Sequence, residues 1–217
     1  MRCQMFAAPN PEFLLLQPSA RHEEKNDGLN REASLLADTM HRGFVLATFD
    51  CEDWAMRLMP WHDDAVSRSE EVGRHAADTL SYIEGSLQPW LSSRYGKLPC
   101  IIGGYSLGGL FALWAARQTD TFAGVAAASP SLWIKEWGEY ADTHPMKSPN
   151  VYLSLGDREE HCRNQRMKRI GDCVRAEHQR LQLQLGEAHT LLEWNQGGHF
   201  GDEARRTARA FAWCCPI

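Results

Sequence analysis

The chain has 217 residues, of which 43% are hydrophobic and 24% are charged. This composition is typical of a globular protein and excludes disordered, collagen-like and coiled-coil classes. We expect one domain over residues 1–217, because domains run to roughly 100–200 residues. Lys and Arg number 23 against 28 Asp and Glu, for a net charge of −5. No basic surplus is available for phosphates, so nucleic acid is not an expected partner.

Two further classes are disfavoured by the sequence. The longest apolar runs, such as 13–16 and 122–128, are far shorter than the roughly 18–20 residues that span a bilayer. Residues 1–5 carry one positive charge and precede no long apolar stretch, so they are a poor signal peptide. We therefore expect a cytoplasmic protein without a membrane partner.

The seven cysteines are scattered without C-x-x-C spacing, which predicts reduced thiols rather than a metal site or a disulfide framework.

Short apolar runs alternate with helical periodicity along the chain. Residues 1–11 are interpreted as irregular or as an extra edge strand. Strand-like runs follow at 12–17, 44–49, 98–103, 122–128, 151–155 and 190–194. Apolar residues three and four apart predict helices over 29–42, 66–94, 107–118, about 133–140, 167–185 and 202–213. Pro89 is expected to kink or split the end of the long second helix.

The fold class predicted from this alternation is α/β. Six apolar strands without polar alternation, separated by helices, indicate a mainly parallel sheet with helices on both faces. In such sheets the chemically active groups lie in loops beyond the carboxyl ends of the strands. The connection over 128–150 is the only place for a lid and is short, so we expect a compact fold with a minimal cap.

A candidate nucleophile stands in the loop after the third of these strands. The segment Gly104-Tyr105-Ser106-Leu107-Gly108-Gly109 leads from that strand directly into a helix. Such a tight turn strains the backbone of the serine and requires small residues two positions before and after it. The hydroxyl of Ser106 would lie at the helix N-terminus, where developing negative charge is favoured. The alternative is a glycine-rich connection with an incidental serine.

A serine nucleophile needs a general base that is itself held by a carboxylate. Of the nine histidines, His199 follows the last predicted strand, at the same sheet edge as Ser106. Its alternative role is that of a surface residue capping the next helix. The carboxylate is expected between the two, and Asp157, Glu159 and Glu160 all follow the fifth predicted strand. Their position alone does not choose among them.

The order serine, acid, histidine is that of the α/β-hydrolase arrangement. The sequence resembles the putative-esterase branch of that superfamily, which contains enterochelin-esterase-like and S-formylglutathione-hydrolase-like proteins. The resemblance rests on Gly104 to Gly109, Ser129-Pro130-Ser131-Leu132-Trp133, the loop from Gly156, and Gly197-Gly198-His199. It extends from Phe13 over nearly the whole chain. It implies the α/β-hydrolase fold and favours Glu159, since the acid in that family often stands three residues after the glycine that ends the strand. Asp157 and Glu160 remain alternatives.

When a serine attacks a carbonyl carbon, the oxyanion of the tetrahedral intermediate requires two N–H donors that are directed at it. The main-chain amide of Leu107, directly after the nucleophile, is the first candidate. The second should come from the loop after the first strand run, where Pro18 has no N–H and leaves Gln17 or Ser19. We predict Gln17.

Tryptophans are the candidates for the substrate pocket. Trp54 and Trp61 follow the second predicted strand and Trp133 follows the fourth, so all three would project from the catalytic edge. They are predicted to line an apolar pocket, although packing beneath long loops explains them equally well.

The sequence therefore predicts a serine hydrolase that cleaves small-molecule carboxylic esters through an acyl-enzyme, without a metal or organic cofactor. A thioesterase or a siderophore-ester hydrolase would use the same groups. A non-catalytic binding protein on the same fold is the alternative from another class. A parallel sheet of this kind can also form a homodimer through an edge strand or an outer helix.

Overall fold

A seven-stranded sheet forms the centre of a computed structural model that describes residues 2–20 and 27–215. The strands are β1 (Cys3–Ala7), β2 (Pro11–Ala20), β3 (Gly43–Cys51), β4 (Cys100–Tyr105), β5 (Gly124–Ala128), β6 (Val151–Gly156) and β7 (Thr190–Asn195). Their spatial order is β1-β3-β2-β4-β5-β6-β7. Only β1 runs antiparallel, against β3. The predicted mainly parallel sheet is confirmed, and β1 is the extra edge strand within residues 1–11.

Helices cover both faces of this sheet. They are α1 (Asp27–Thr39), α2 (Trp54–Leu58), α3 (Ala76–Tyr82), α4 (Gln88–Tyr95), α5 (Leu107–Gln118), α6 (Trp137–Thr143), α7 (Ile170–Leu185) and α8 (Glu203–Cys214). The connection between β5 and β6 contains only the short helix α6, in agreement with a minimal cap. Among the helices of the described ranges, none has the length and apolar character that crossing a membrane requires.

Two apolar cores lie on opposite faces of the sheet. Along β2, Leu14 and Leu16 pack into the core beneath α5, whereas Phe13 and Leu15 pack into the core beneath α1 and α8. Successive side chains of a strand point to opposite faces, so a strand that is covered on both sides must be apolar throughout. This is why the strands lack polar alternation in the sequence.

The predicted helix over 66–94 is wrong in its first part. The chain forms turns there, and α3 begins only at Ala76. Gly73 has a φ of 93°, and a Cβ on it would lie 2.0 Å from the main-chain carbon of Trp61. A left-handed glycine pressed against another loop is incompatible with a continuous helix. The apolar spacing of this segment therefore reflects packing of a loop.

The expected interruption near Pro89 is present. One π-helical turn, Ile83–Leu87, separates α3 from α4, and Pro89 lies in the first turn of α4. Proline has no N–H for the bond to the carbonyl four residues earlier, and its ring clashes with that carbonyl. The wider turn accommodates both effects.

The close approach of α8 to the sheet yields a prediction about Gly103 in β4. A Cβ on Gly103 would lie 2.6 Å from Cζ of Phe211 and 2.8 Å from the carbonyl oxygen of Ala126. Gly103→Ala should lower the free energy of unfolding by about 1–3 kcal/mol, because the packed core has no room for the methyl group. Urea denaturation measures this change. Gly138→Ala in α6 is the control, since nothing lies within 4 Å of its added Cβ, and equal effects of the two variants would contradict the packing.

Candidate active site

Ser106 occupies a strained turn between β4 and α5. Its φ is 56° and its ψ is −116°, a conformation that residues other than glycine adopt only at a cost. The turn is tight: a Cβ on Gly104 would lie 2.9 Å from the main-chain carbon of Gly108, and one on Gly109 would lie 3.0 Å from the carbonyl oxygen of Gly104. The glycines are thus required where the sequence has them, and the serine lies at the start of α5.

His199, in the loop after β7, contacts the serine. Its Nε2 lies 3.1 Å from Oγ of Ser106. On the opposite side of the ring, Nδ1 lies 2.7 Å from Oε2 of Glu159, a residue of the short 3₁₀ turn after β6. The three side chains form one hydrogen-bonded chain, although Ser106 and His199 are 93 residues apart in the sequence.

The second oxygen of Glu159 is also fully engaged. Oε1 accepts hydrogen bonds from the main-chain N–H of Gly156 at 2.8 Å and from the hydroxyl of Ser129 at 2.8 Å. Burial by itself would raise the pKa of Glu159, but the hydrogen bonds from His199, Gly156 and Ser129 outweigh it and hold the pKa below its ordinary value of 4.5. Glu159 is therefore an ionised carboxylate inside the protein.

The other two candidate acids point elsewhere. Asp157 accepts a hydrogen bond from the main-chain N–H of Gly197 at 2.8 Å, so it supports the loop of His199 without contacting the imidazole. Glu160 forms an ion pair with Arg175 at 3.1 Å. Of the three carboxylates, the structure brings Glu159 to His199.

Arg206, a residue of α8 that the sequence reasoning did not select, ties this site together. Its Nη1 donates to Oε1 of Glu159 at 2.9 Å and to the hydroxyl of Tyr105 at 2.9 Å. Its Nη2 donates to the carbonyl of Gly198 at 3.0 Å. The residue is only 3% exposed. One guanidinium thus pairs with the acid and holds the loop of His199 in position.

A signal for Arg206 is present in the sequence. It stands four residues before Ala210 and eight before Cys214, both buried, so it lies on the apolar face of the last helix. A charged residue on such a face is rarely buried without a partner. The sequence does not reveal which partner that is.

Tyr105 supports the same loop. Its hydroxyl donates to the carbonyl oxygen of His199 at 2.5 Å. Burial raises the pKa of Tyr105, which keeps the phenol protonated and able to donate.

The two predicted oxyanion donors differ in their placement. Leu107 is the first residue of α5, and the amides of the first helical turn have no partner within the helix. Gln17 is less suitable. The N–H of Leu14 donates to the carbonyl of Pro99 on the β4 side at 3.0 Å. Amide directions alternate along a strand, so the N–H of Gln17 faces β3 instead. Pro18 is the next residue turned toward β4, and it has no N–H.

A cavity of about 910 Å³ opens at Ser106 and His199. Trp54 lines it, but Trp61 and Trp133 do not. The structure thus brings one of the three predicted pocket tryptophans to the site. Phe200, which the sequence reasoning missed, also lines the cavity and is 93% exposed.

Trp61 has a packing role instead. Its indole stacks on Trp137 with ring centroids 6.3 Å apart and donates to the carbonyl of Lys135 at 2.9 Å. Trp133 is partly buried and packs against the core beneath α5. Both residues therefore belong to the loops that cover the core.

Within residues 2–20 and 27–215, no group of three or more His, Cys, Asp or Glu residues is arranged to hold a metal ion.

A mainly parallel sheet with a strained serine after its central strand defines an α/β-hydrolase, as the sequence resemblance implied. Residues 33–203 match the model of the Esterase family, described as putative esterase. The chain belongs to this family, and its predicted fold and branch are confirmed. No curated protein matches the chain in sequence.

Solved structures similar to the chain share its fold at low sequence identity. The siderophore hydrolase EstB from Aspergillus nidulans is 17% identical, with a TM-score of 0.71 over 94% of this chain and 82% of that one. EstA from the same organism, also a siderophore hydrolase, is 18% identical, with a TM-score of 0.66 over 92% and 80%. The enterobactin esterase FES from Shigella flexneri is 18% identical, with a TM-score of 0.70. The match to FES covers 98% of this chain but only 54% of FES.

The network of Arg206 yields a second prediction. Arg206→Met should lower kcat for ester hydrolysis by about 10-fold or more with little change in KM, since the acid and the histidine loop lose their common support. It should also lower the free energy of unfolding by on the order of 3 kcal/mol, because a buried charge pair is broken. Arg205→Met is the matched control, as Arg205 lies beside it on α8 with an exposed side chain. Equal kcat values for the two variants would rule out the positioning role.

Proposed function

We propose that this protein hydrolyses carboxylic esters of small molecules, with Ser106 as nucleophile, His199 as general base and Glu159 as the triad acid. The observation that carries the proposal is the hydrogen-bonded chain of 3.1 Å and 2.7 Å that joins the three side chains. Support for ester hydrolysis itself comes from membership of the esterase family.

The hydrogen bonds also assign the direction of the protons. Ionised Glu159 can only accept, so Nδ1 of His199 carries a proton and donates it. Nε2 is then the acceptor and receives the hydrogen bond from the hydroxyl of Ser106. This is the tautomer that a general base for serine requires.

Acylation proceeds from this arrangement. Oγ of Ser106 attacks the carbonyl carbon and forms the new C–O bond, while its proton passes to Nε2 of His199 and the carbonyl π electrons move to the oxygen. When the tetrahedral intermediate collapses, the bond to the alcohol breaks and the alcohol takes the proton from His199. Glu159 stabilises the imidazolium between these events without itself accepting a proton.

Deacylation repeats the sequence with water. His199 removes a proton from water as its oxygen attacks the acyl carbon, and the returning proton goes to Oγ of Ser106 as the acyl bond breaks. Because the acyl-enzyme divides hydrolysis into two such steps, the reaction needs no organic cofactor. The first-turn amide of Leu107 and the positive end of α5 stabilise the oxyanion in both steps.

The cavity indicates the kind of substrate. It has about 910 Å³ of space and is lined by polar residues as well as by Trp54 and Phe200. In the connection from β5 to β6, which the structure describes throughout, α6 is the only helix, and no residue of α6 lines the cavity. Small esters with an accessible carbonyl group fit these properties.

Siderophore esters are the second candidate. The observation that favours them is the similarity to two siderophore hydrolases and an enterobactin esterase, with TM-scores of 0.66 to 0.71. If they are the substrate, hydrolysis of enterobactin should depend on Ser106, with kcat/KM of about 10⁴ M⁻¹s⁻¹ or more. Chromatography of the products measures the rate of enterobactin hydrolysis, from which kcat/KM follows. Absence of product above the enzyme-free control with wild type that hydrolyses p-nitrophenyl acetate would exclude enterobactin.

The proposed nucleophile is tested by removal of its hydroxyl group. Ser106→Ala should lower kcat for p-nitrophenyl acetate by at least about 1,000-fold, because the proposed acyl-enzyme forms on the hydroxyl that this substitution removes. Initial rates of nitrophenolate release measure kcat, and circular dichroism verifies the fold. Ser93→Ala, which removes an exposed serine hydroxyl from α4, should keep wild-type activity. Retained turnover by folded Ser106→Ala would refute the assignment.

A further inference from the structure

The segment Ser129-Pro130-Ser131 follows β5 and contacts both ends of the triad. Ser129 has a φ of 44°, and its hydroxyl donates to Glu159. At the other end of the segment, Oγ of Ser131 lies 3.1 Å from Oγ of Ser106. The main-chain N–H of Ser131 donates to the carbonyl oxygen of Ser106 at 3.1 Å. Two hydrogen bonds thus hold Ser131 against the candidate nucleophile.

Burial limits what the hydroxyl of Ser131 can do. The residue is 4% exposed, so the hydroxyl is largely shielded from water. Within the part of the chain that the structure describes, its hydrogen bond is made to Oγ of Ser106. A buried hydroxyl that failed to donate would leave its proton unsatisfied, which is costly.

The direction of this hydrogen bond follows from the triad. Ser106 has one hydroxyl proton, and that proton is directed to Nε2 of His199. The remaining lone pairs of Oγ can only accept. The hydroxyl of Ser131 is therefore the donor, and the oxygen of Ser106 is the acceptor.

We propose that Ser131 is a further catalytic residue, whose hydroxyl stabilises negative charge on the nucleophilic oxygen of Ser106. This inference rests on the proposed function of Ser106. Charge builds up on Oγ as its proton leaves for His199 and before its bond to the acyl carbon is complete. A hydrogen bond to a charged group is stronger than one to a neutral group, so the donor favours the transition state over the ground state.

The same contact acts during deacylation. Oγ of Ser106 is then the leaving oxygen: its bond to the acyl carbon breaks, the bonding pair stays on oxygen, and His199 returns a proton to it. Ser131 donates to this oxygen throughout and keeps its own proton. It is a hydrogen-bond donor in both steps and a proton-transfer group in neither.

The rate of phosphonylation measures the reactivity of Ser106 without deacylation. When a fluorophosphonate reacts, the bond from Oγ to phosphorus forms, the phosphorus–fluorine bond breaks, fluoride leaves and His199 takes the hydroxyl proton. We expect Ser131→Ala to lower the second-order rate constant by about 10- to 100-fold. Ser131→Cys should give an intermediate loss, since a thiol is a weaker donor.

Ser148→Ala is the matched control for the loss of a buried hydroxyl. Ser148 is fully buried and lies shortly before β6, at the opposite edge of the sheet from Ser106. Its substitution should leave the labelling rate within about twofold of wild type, even if stability falls. Thermal denaturation of each variant separates loss of fold from loss of reactivity.

The possible outcomes distinguish this inference from the proposed function. If Ser131→Ala is labelled at the wild-type rate while Ser106→Ala is not labelled, the role of Ser131 is refuted and the nucleophile stands. If Ser131→Ala does not fold, the Ser131→Cys rate decides, and an unchanged rate refutes the proposal. If folded wild type is not labelled, the proposed nucleophile fails and this inference fails with it.

Discussion

The arrangement of this site depends on one buried carboxylate. Glu159 accepts hydrogen bonds from His199, Ser129, the Gly156 amide and Arg206. These donors come from different parts of the fold: the loop after β7, the end of β5, the end of β6, and α8. Removal of a charged carboxylate from water costs several kcal/mol unless its partners are well placed. The folded chain must therefore bring all four elements to the same edge of the sheet.

The backbone at this edge is strained at two serines. Ser106 and Ser129 both have positive φ, at 56° and 44°, and each begins a segment that leaves the carboxyl end of a strand. Conformations of this kind persist only where the surrounding structure compensates for them. Here the compact glycines beside Ser106 and the hydrogen bond from Ser129 to Glu159 do so. The hydrogen bonds to Glu159 therefore offset both the strain at Ser129 and the cost of burying the charge.

The sequence predicts features that depend on neighbouring residues, but not those that depend on contacts between residues far apart in the chain. Strand and helix patterns repeat locally, so β2 to β7 and most helices could be predicted. The prediction of a helix from residue 66 was wrong because Gly73 packs against Trp61. This contact joins two loops, and a local sequence pattern does not predict it. The positions of these residues after predicted strands, in the order serine, carboxylate, histidine, identified Ser106, His199 and a group of three carboxylates as candidates. The family resemblance favoured Glu159 among them, whereas position in the sequence did not choose it. Its contact with His199, like that of Arg206 with Glu159, joins residues 40 or more positions apart.

The kcat/KM for p-nitrophenyl acetate in Glu159→Ala and Glu160→Ala tests the central role of this carboxylate most directly. The two residues are adjacent and chemically identical, but only Glu159 contacts His199, whereas Glu160 pairs with Arg175. Glu159→Ala should lose about 100-fold or more, and Glu160→Ala should remain within about threefold of wild type. Equal losses, or a larger loss in Glu160→Ala, would contradict the account.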